Sequence, residues 1–447
     1  MTALAWISVG SICRAYRLSF VNKASVFPAV AYTHAIQMDA TDLTPRNPKE
    51  VASARPAALS RESRRTAVIC GCIVGFAYSA NYTNHAPLAP ALMREFGFNQ
   101  TLAGLLTTGI FATHGGMQIP GGHLVDRLGA KRVLVSALAW VALCNVGMAF
   151  AGAYWQLLVC KILTGVGTGV CFVGGARYIH AAAGPPLTLP QGLFGGSVQL
   201  GSGFVILAVP RLFLLAGWRA TFLVSAAMAT TAAIIWQTAA PTIEPVAGAF
   251  GRWREMLLAP QLWLLGLVQM ATFGLSLVVG SWVVVMLTKV LSVPATRAGL
   301  IGSLVLLVGI ASRPLGGALR RHLAIRPLFA TSLLMIAVGC FVFASQSISL
   351  ALALMAVLLI GIGCGLPYAS MFSRAGALFP GRAGAAMGLV NMVGIVMILG
   401  GAPLVGHLAD LSGNFRTSFV VLGGFSLVAC AAVILVEPEE PINSGQA

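Results

Sequence analysis

The chain has 447 residues, of which 57% are hydrophobic and only 9% charged. A soluble domain spends about a quarter of its residues on Asp, Glu, Lys and Arg. This composition therefore excludes an ordinary water-facing protein and implies a polytopic membrane protein, long enough for about a dozen spans of about 20 apolar residues each.

Residues 1–65 read as a disordered cytoplasmic tail. Its apolar start is broken by Arg14, Arg17 and Lys23 before it reaches spanning length, and no small-residue cleavage site follows cleanly. Asp39, Asp42, Pro45, Pro48 and Lys49 then make a polar lead-in, and translation is expected to start naturally at Met38. Hydropathy runs bounded by charges and Gly/Pro turns predict spans over residues 66–87, 101–121, 133–151, 155–175, 191–215 and 221–237. A second set covers 260–287, 298–317, 328–344, 350–372, 383–404 and 417–436. Each must be helical, because hydrocarbon offers no partner to an unpaired backbone amide.

The net charge of +16 is sorted by topology. With the N-terminus inside, 20 of the 28 Lys and Arg fall on cytoplasmic segments, six on outer loops, and two, Lys161 and Arg313, within spans. That is the direction of the positive-inside rule. It places both termini in the cytoplasm, as in a bacterial inner membrane, and removes the case for a nucleic-acid partner. The longest hydrophilic stretch between spans, residues 238–259, is a linker between six-helix halves at 66–237 and 260–436, with 437–447 as a cytoplasmic tail. Internal repeats agree: Gly121-Gly122-His123-Leu124 recurs as Gly316-Gly317-Ala318-Leu319, and Gly165-x-Gly167-x-Gly169 recurs as Gly361-x-Gly363-x-Gly365. Eight of the nine cysteines are scattered through spans and read as packing residues.

The loop after the second span reads Gly122-His123-Leu124-Val125-Asp126-Arg127-Leu128-Gly129-Ala130-Lys131-Arg132. Its glycines allow a tight turn and close helix contact, and Asp126 can pair with basic groups or cap a helix N-terminus. The run closely resembles the signature Gly-x-x-x-Asp-Arg-x-Gly-x-Lys/Arg-Arg/Lys of the major facilitator superfamily, at the family's place between helices two and three. The resemblance covers residues 66–436. It implies an all-α membrane protein of twelve transmembrane helices in two pseudo-symmetric six-helix bundles, working by alternating access. It also implies a latch in which Gly122, Asp126, Arg127, Gly129, Lys131 and Arg132 gate the halves, the alternative being that the charges only fix topology. Arg321 stands where the second copy would carry the aspartate, so the latch is expected to be asymmetric.

All 12 carboxylates lie outside the predicted spans. An ionisable residue inside a span is costly and is by default a functional candidate, and positive groups without negative ones favour an anion. Arg313, in Ser312-Arg313-Pro314-Leu315-Gly316-Gly317, carries a fixed fork of donors suited to a carboxylate or oxyanion. This segment resembles the corresponding helix of the nitrate/nitrite porter branch, with a weaker likeness to organic-anion carriers, which implies substrate contact; the alternative is snorkelling to the cytoplasmic surface. Gln118 stands where that branch has a second arginine, so a larger organic anion is as open as nitrate.

Tyr82 and His85, beside Tyr78, share a face of helix one, and His114 and Gln118 share a face of helix two. Gln269, Tyr368 and Asn391 are their counterparts in the second half. Together with Arg313 these form the candidate substrate-binding set, with interhelical hydrogen bonding as the alternative for each. His114 is the candidate proton carrier, because imidazole titrates near neutral pH and no carboxylate competes. Lys161 is the other coupling candidate, with outward snorkelling as its alternative.

The sequence thus reads as a monomeric secondary transporter for a small organic or inorganic anion in a lipid bilayer, with proton coupling open. Efflux of drug-like solutes is the second transport reading, and a non-transporting sensor with a carrier fold is the alternative from another class. No enzyme is expected. Gly165-x-Gly167-x-Gly169 lies within a span rather than after a strand, so it packs helices rather than cradling a nucleotide. No catalytic set, metal cluster or cofactor site is expected.

Overall fold

The computed structural model describes residues 59–183, 188–243, 253–345 and 347–439. The expected start at Met38, tail residues 1–58, the middle of the linker at 244–252 and residues 440–447 lie outside the described residues. Among the described residues every regular element is helical. In chain order these are α1 (Arg61–Thr83), α2 (Ala89–Phe96), α3 (Gln100–Gly116), α4 (Gln118–Leu128), α5 (Ala130–Ala149), α6 (Tyr154–Ala183) and α7 (Leu189–Ala239). There follow α8 (Trp253–Leu258), α9 (Pro260–Gln269), α10 (Leu275–Val290), α11 (Ala295–Leu307), α12 (Gly309–Leu319), α13 (Ile325–Phe343), α14 (Leu350–Gly365), α15 (Tyr368–Leu378), α16 (Ala383–Ser412) and α17 (Arg416–Ala432).

Nine helical stretches among the described residues are long and apolar enough to cross a membrane. The helix ends carry ordinary caps: Ser60, Asn99 and Ser349 each accept a hydrogen bond from the amide three residues on, at 3.1, 3.0 and 3.2 Å.

The structure differs from the predicted spans mainly at breaks. The segments predicted at 191–215 and 221–237 are two helical arms of α7 that part at Gly217, whose φ of 78° and ψ of 174° are not helical and would be resisted by a side chain. The segment predicted at 101–121 is instead interrupted at Met117, because Pro120 has no N–H for the carbonyl of Gly116. A π-turn, Met270–Gly274, joins α9 to α10; Val308 separates α11 from α12, and Leu366-Pro367 separates α14 from α15.

Packing follows the glycine repeat. Helix α5 lies against α6 and α7, as α13 lies against α14 and α17. A Cβ on Gly167 would stand 3.0 Å from the Ala137 carbonyl oxygen of α5, and one on Gly363 would stand 2.6 Å from the Ser332 carbonyl oxygen of α13. Both repeats therefore admit the neighbouring backbone where hydrocarbon supplies no hydrophobic drive. Gly363→Ala should lower the stability of detergent-solubilised protein by about 1–3 kcal/mol through overpacking. Gly424→Ala, whose Cβ would meet nothing within 4 Å, should match wild type when thermal midpoints are compared.

Candidate functional site

The breaks at Met117, Met270–Gly274 and Leu366-Pro367 lie beside residues that border one cavity. Tyr78, Tyr82, His114, Phe172, Val198, Gln269, Phe273, Arg313, Tyr368 and Asn391 surround a cavity of about 10 Å³, room for about one water molecule. Arg313 is 3% exposed. Rather than snorkelling to a surface, it donates from Nη1 to the Gly195 carbonyl at 2.8 Å, with its guanidinium 4.4 Å from the Tyr368 ring centroid and 6.0 Å from that of Phe273. This reach depends on the glycine-dense start of α7: a Cβ on Gly192 would stand 2.5 Å from the Arg313 carbonyl oxygen, and one on Gly195 would stand 2.9 Å from Arg313 Cδ. Among the described residues no carboxylate pairs with Arg313.

On the opposite wall, Tyr78 and Tyr82 stack with centroids 6.0 Å apart, and His114 lies 6.2 and 5.8 Å from them. His114 Nδ1 meets Thr168 Oγ1 at 3.1 Å. Gln269 donates to Asn391 Oδ1 at 2.9 Å, while Asn391 Nδ2 and the Tyr368 hydroxyl, both buried, have no hydrogen-bond partner. Of the predicted set, Arg313, His114, Tyr82, Gln269, Tyr368 and Asn391 thus come together. Gln118 and His85 do not line this cavity: Gln118 donates to the His114 carbonyl across the Met117 break at 3.0 Å, and His85 Nε2 meets Thr107 Oγ1 at 3.0 Å. Phe172 and Phe273 escaped a reading led by polar atoms. Phe273 lies four residues after Gln269, a spacing that could have found it.

A second cavity, about 770 Å³, lies between α3, α10 and α16 and is bordered by Thr107, Phe111, Val278, Trp282 and Leu399. Phe111 packs edge-on against Tyr82 at 5.3 Å and His114 at 6.2 Å, and so stands between the two spaces.

Lys161 is 1% exposed and turned inward rather than outward. Its ammonium donates to Asn84 Oδ1 at 2.6 Å and to the Asn81 carbonyl at 3.2 Å, and Asn84 Nδ2 donates in turn to Asn145 Oδ1 at 2.8 Å. The cation is thus held by acceptors at the C-terminal end of α1, one of them braced by Asn145 of α5, away from Arg313's cavity.

The Asp126 region forms a seam between α4 and α16. Arg177 donates to Asp126 Oδ1 at 2.8 Å, and the amides of Gly384 and Ala385, opening α16, donate to Oδ1 and Oδ2 at 3.3 and 3.2 Å. The carboxylate therefore meets a cation and the positive end of a helix together. Burial raises its pKa, while Arg177 and the two amides oppose that shift. A Cβ on Gly122 would stand 2.6 Å from the Ala385 amide nitrogen. Gly129 turns the chain with φ 84°, Lys131 donates to the Ala240 carbonyl at 2.8 Å, and Arg127 and Arg132 are exposed. At the equivalent position Arg321 is exposed, and that seam is tied by Thr188 donating to the Gly317 carbonyl at 2.6 Å. Arg177, central here, shows in the sequence only as one of the cytoplasmic charges.

The family model of the Major Facilitator Superfamily matches residues 71–401 and 326–447. Over 159 residues the chain is 28% identical to the probable sulfoacetate transporter SauU of Cupriavidus necator, a match covering 35% of this chain and 37% of that relative. Over 322 residues it is 24% identical to the probable nitrate transporter NarT of Staphylococcus haemolyticus, covering 70% of this chain and 81% of that one. The solved structure of the human organic anion transporter MFSD10 has the same fold, with a TM-score of 0.70 at 16% identity over 85% of this chain and 100% of that one.

The amide cage makes a signed prediction about the buried lysine. Asn84→Ala leaves the ammonium without its shortest acceptor and should lose about 3 kcal/mol, whereas Lys161→Met removes the charge together with its desolvation cost and should lose about 1 kcal/mol. Thermal unfolding of the two purified variants gives the order.

Proposed function

Because the chain belongs to the Major Facilitator Superfamily, and is therefore a multi-pass membrane transporter and not an enzyme, we propose that it carries a small organic or inorganic anion by alternating access. The observation that carries this reading is Arg313, buried in the central cavity with no carboxylate partner among the described residues. A buried cation is expensive unless paired, and an anionic solute supplies the missing charge. The transporters of sulfoacetate, nitrate and organic anions to which the chain is similar favour the same class.

Twelve spans follow if α1, the pair α3 and α4, and the two arms of α7 each count as crossings. They form six-helix bundles at 66–237 and 260–436 joined by the 238–259 linker, with tails 1–65 and 437–447 in the cytoplasm of a bacterial inner membrane. The Asp126 seam is the cytoplasmic latch: Gly122 allows the approach, Asp126 holds the start of α16, Gly129 sets the turn, and Arg127, Lys131 and Arg132 flank it. The larger cavity borders Ile398, fourteen residues beyond Gly384 and so roughly 21 Å along α16 from the latch. A closed latch with that cavity toward the other end fits a state that receives solute from outside. His114, bordering the central cavity, is the proton carrier where transport is proton-coupled, and Lys161 holds the outer ends of α1, α5 and α6 in register.

Flux into proteoliposomes tests the reading. Wild type should accumulate labelled anions, and Arg313→Gln should lose uptake by on the order of a hundredfold, the weight of a charge-assisted pair; wild-type affinity in that variant removes the assignment. Dependence on a pH gradient should vanish in His114→Ala, and its persistence would exclude the histidine relay.

A further inference from the structure

The charge count around Arg313 and the character of the remaining walls narrow the solute beyond the word anion. Resting on the anion reading above, we infer that the solute is a monoanionic carboxylic acid with an aromatic or conjugated ring. Its carboxylate lies on Arg313 and its ring among Tyr78, Tyr82, Phe172, Phe273 and Tyr368.

One lysine or arginine, Arg313, borders the central cavity. Lys161 is not among the lining residues and is committed to Asn84 and the Asn81 carbonyl. With His114, the other basic side chain on this border, neutral, a second negative charge on the solute would be buried without a counter-charge, which is costly in so dry a place. Arg313 uses Nη1 on the Gly195 carbonyl, and the rest of its fork suits the two oxygens of one carboxylate.

The other walls disfavour a small inorganic ion. Five aromatic side chains border this cavity, and apart from Arg313 they offer a compact, strongly hydrated anion little to replace its water. The same rings stack readily with a flat organic body. Their existing contacts set the pattern: Phe172 meets Tyr78 edge-on at 6.2 Å, and Tyr368 lies 4.8 Å from Phe372. Two donors border the space unused, the Tyr368 hydroxyl and Asn391 Nδ2, each buried and without a partner. They match an oxygen substituent on the ring, which would satisfy groups that otherwise bear a desolvation cost.

The larger cavity agrees. Its border is Phe111, Leu277, Val278, Trp282, Ile398 and Leu399, relieved only by small hydroxyl, glycine and proline residues. That lining suits a solute with an apolar body better than a strongly hydrated inorganic ion. The central cavity holds about one water molecule as it stands, so the ring takes its place as Phe111 withdraws and the smaller space joins the larger.

Competition against labelled benzoate uptake in proteoliposomes at neutral pH tests this. Unlabelled benzoate and para-hydroxybenzoate should compete strongly, with acetate, nitrate, the dianion terephthalate and the cation benzylammonium weaker by on the order of tenfold or more. Tyr368→Phe should weaken para-hydroxybenzoate about tenfold more than it weakens benzoate. Nitrate or acetate competing as well as benzoate would overturn the ring assignment and leave the anion reading standing, as would terephthalate competing equally for the single charge. Absence of uptake for every anion, in a preparation whose folding is verified by thermal unfolding, would overturn both. Equal loss for both benzoates in Tyr368→Phe would overturn the hydroxyl's role.

Discussion

A guanidinium enclosed by helices in a bilayer must find compensation nearby, because neither water nor lipid tails supply it. Arg313 finds a carbonyl, the face of a tyrosine and a more distant phenylalanine, but no carboxylate among the described residues. Those contacts orient it without neutralising it. The contrast with Lys161 is instructive. Lys161 is equally buried, yet the Asn84 side chain and the Asn81 carbonyl both accept from its ammonium, with Asn145 anchoring Asn84. One cation is built into the structure; the other keeps donors available to a solute.

The means of bringing Arg313 to the centre is interruption of helices. A continuous helix satisfies its own amides and presents a uniform face, whereas a break lets a chain segment change direction where neighbours can cover the freed backbone groups. The break at Met117 lies between His114 and Gln118, the π-turn carries Phe273 just after Gln269, Pro314 follows Arg313, and Pro367 precedes Tyr368. Close glycine contacts then join α7 to α12. The Asp126 seam uses different chemistry for a different need: a carboxylate tied to one helix terminus and one arginine can be released as a unit, which suits a joint that opens and closes.

Much of this was legible in the residues because membranes make the rules strict. Length and low charge identified a polytopic membrane protein, the resemblance carried by Gly122–Arg132 pointed to a carrier, and the absence of carboxylates from the predicted spans isolated Arg313 and Lys161. The glycine repeat at Gly165 and Gly361 announced packing that Gly167 and Gly363 carry out. Three things were not legible. The direction of Lys161 depended on Asn84 and Asn145, which are 61 residues apart in sequence. The bond by which Gln118 ties α4 to the His114 carbonyl of α3 depended on a break that hydropathy does not register. Phe172 has no polar side-chain atom and no candidate residue one helical turn away, so its place in the cavity follows only from how the helices pack, whereas Phe273 shares the face of Gln269.

The central claim is that Arg313 supplies the charge that holds an anionic solute. A ligand that binds the folded state raises its stability with the logarithm of ligand concentration, by about 2.7 kcal/mol at a hundred times its dissociation constant. The most direct measurement is therefore the thermal midpoint of detergent-solubilised protein across a benzoate titration at constant ionic strength, for wild type and Arg313→Gln. The account predicts a midpoint that climbs in wild type and stays flat in the variant, with benzylammonium inert toward both. A variant whose midpoint climbs as steeply as wild type, at the same benzoate concentrations, would contradict it.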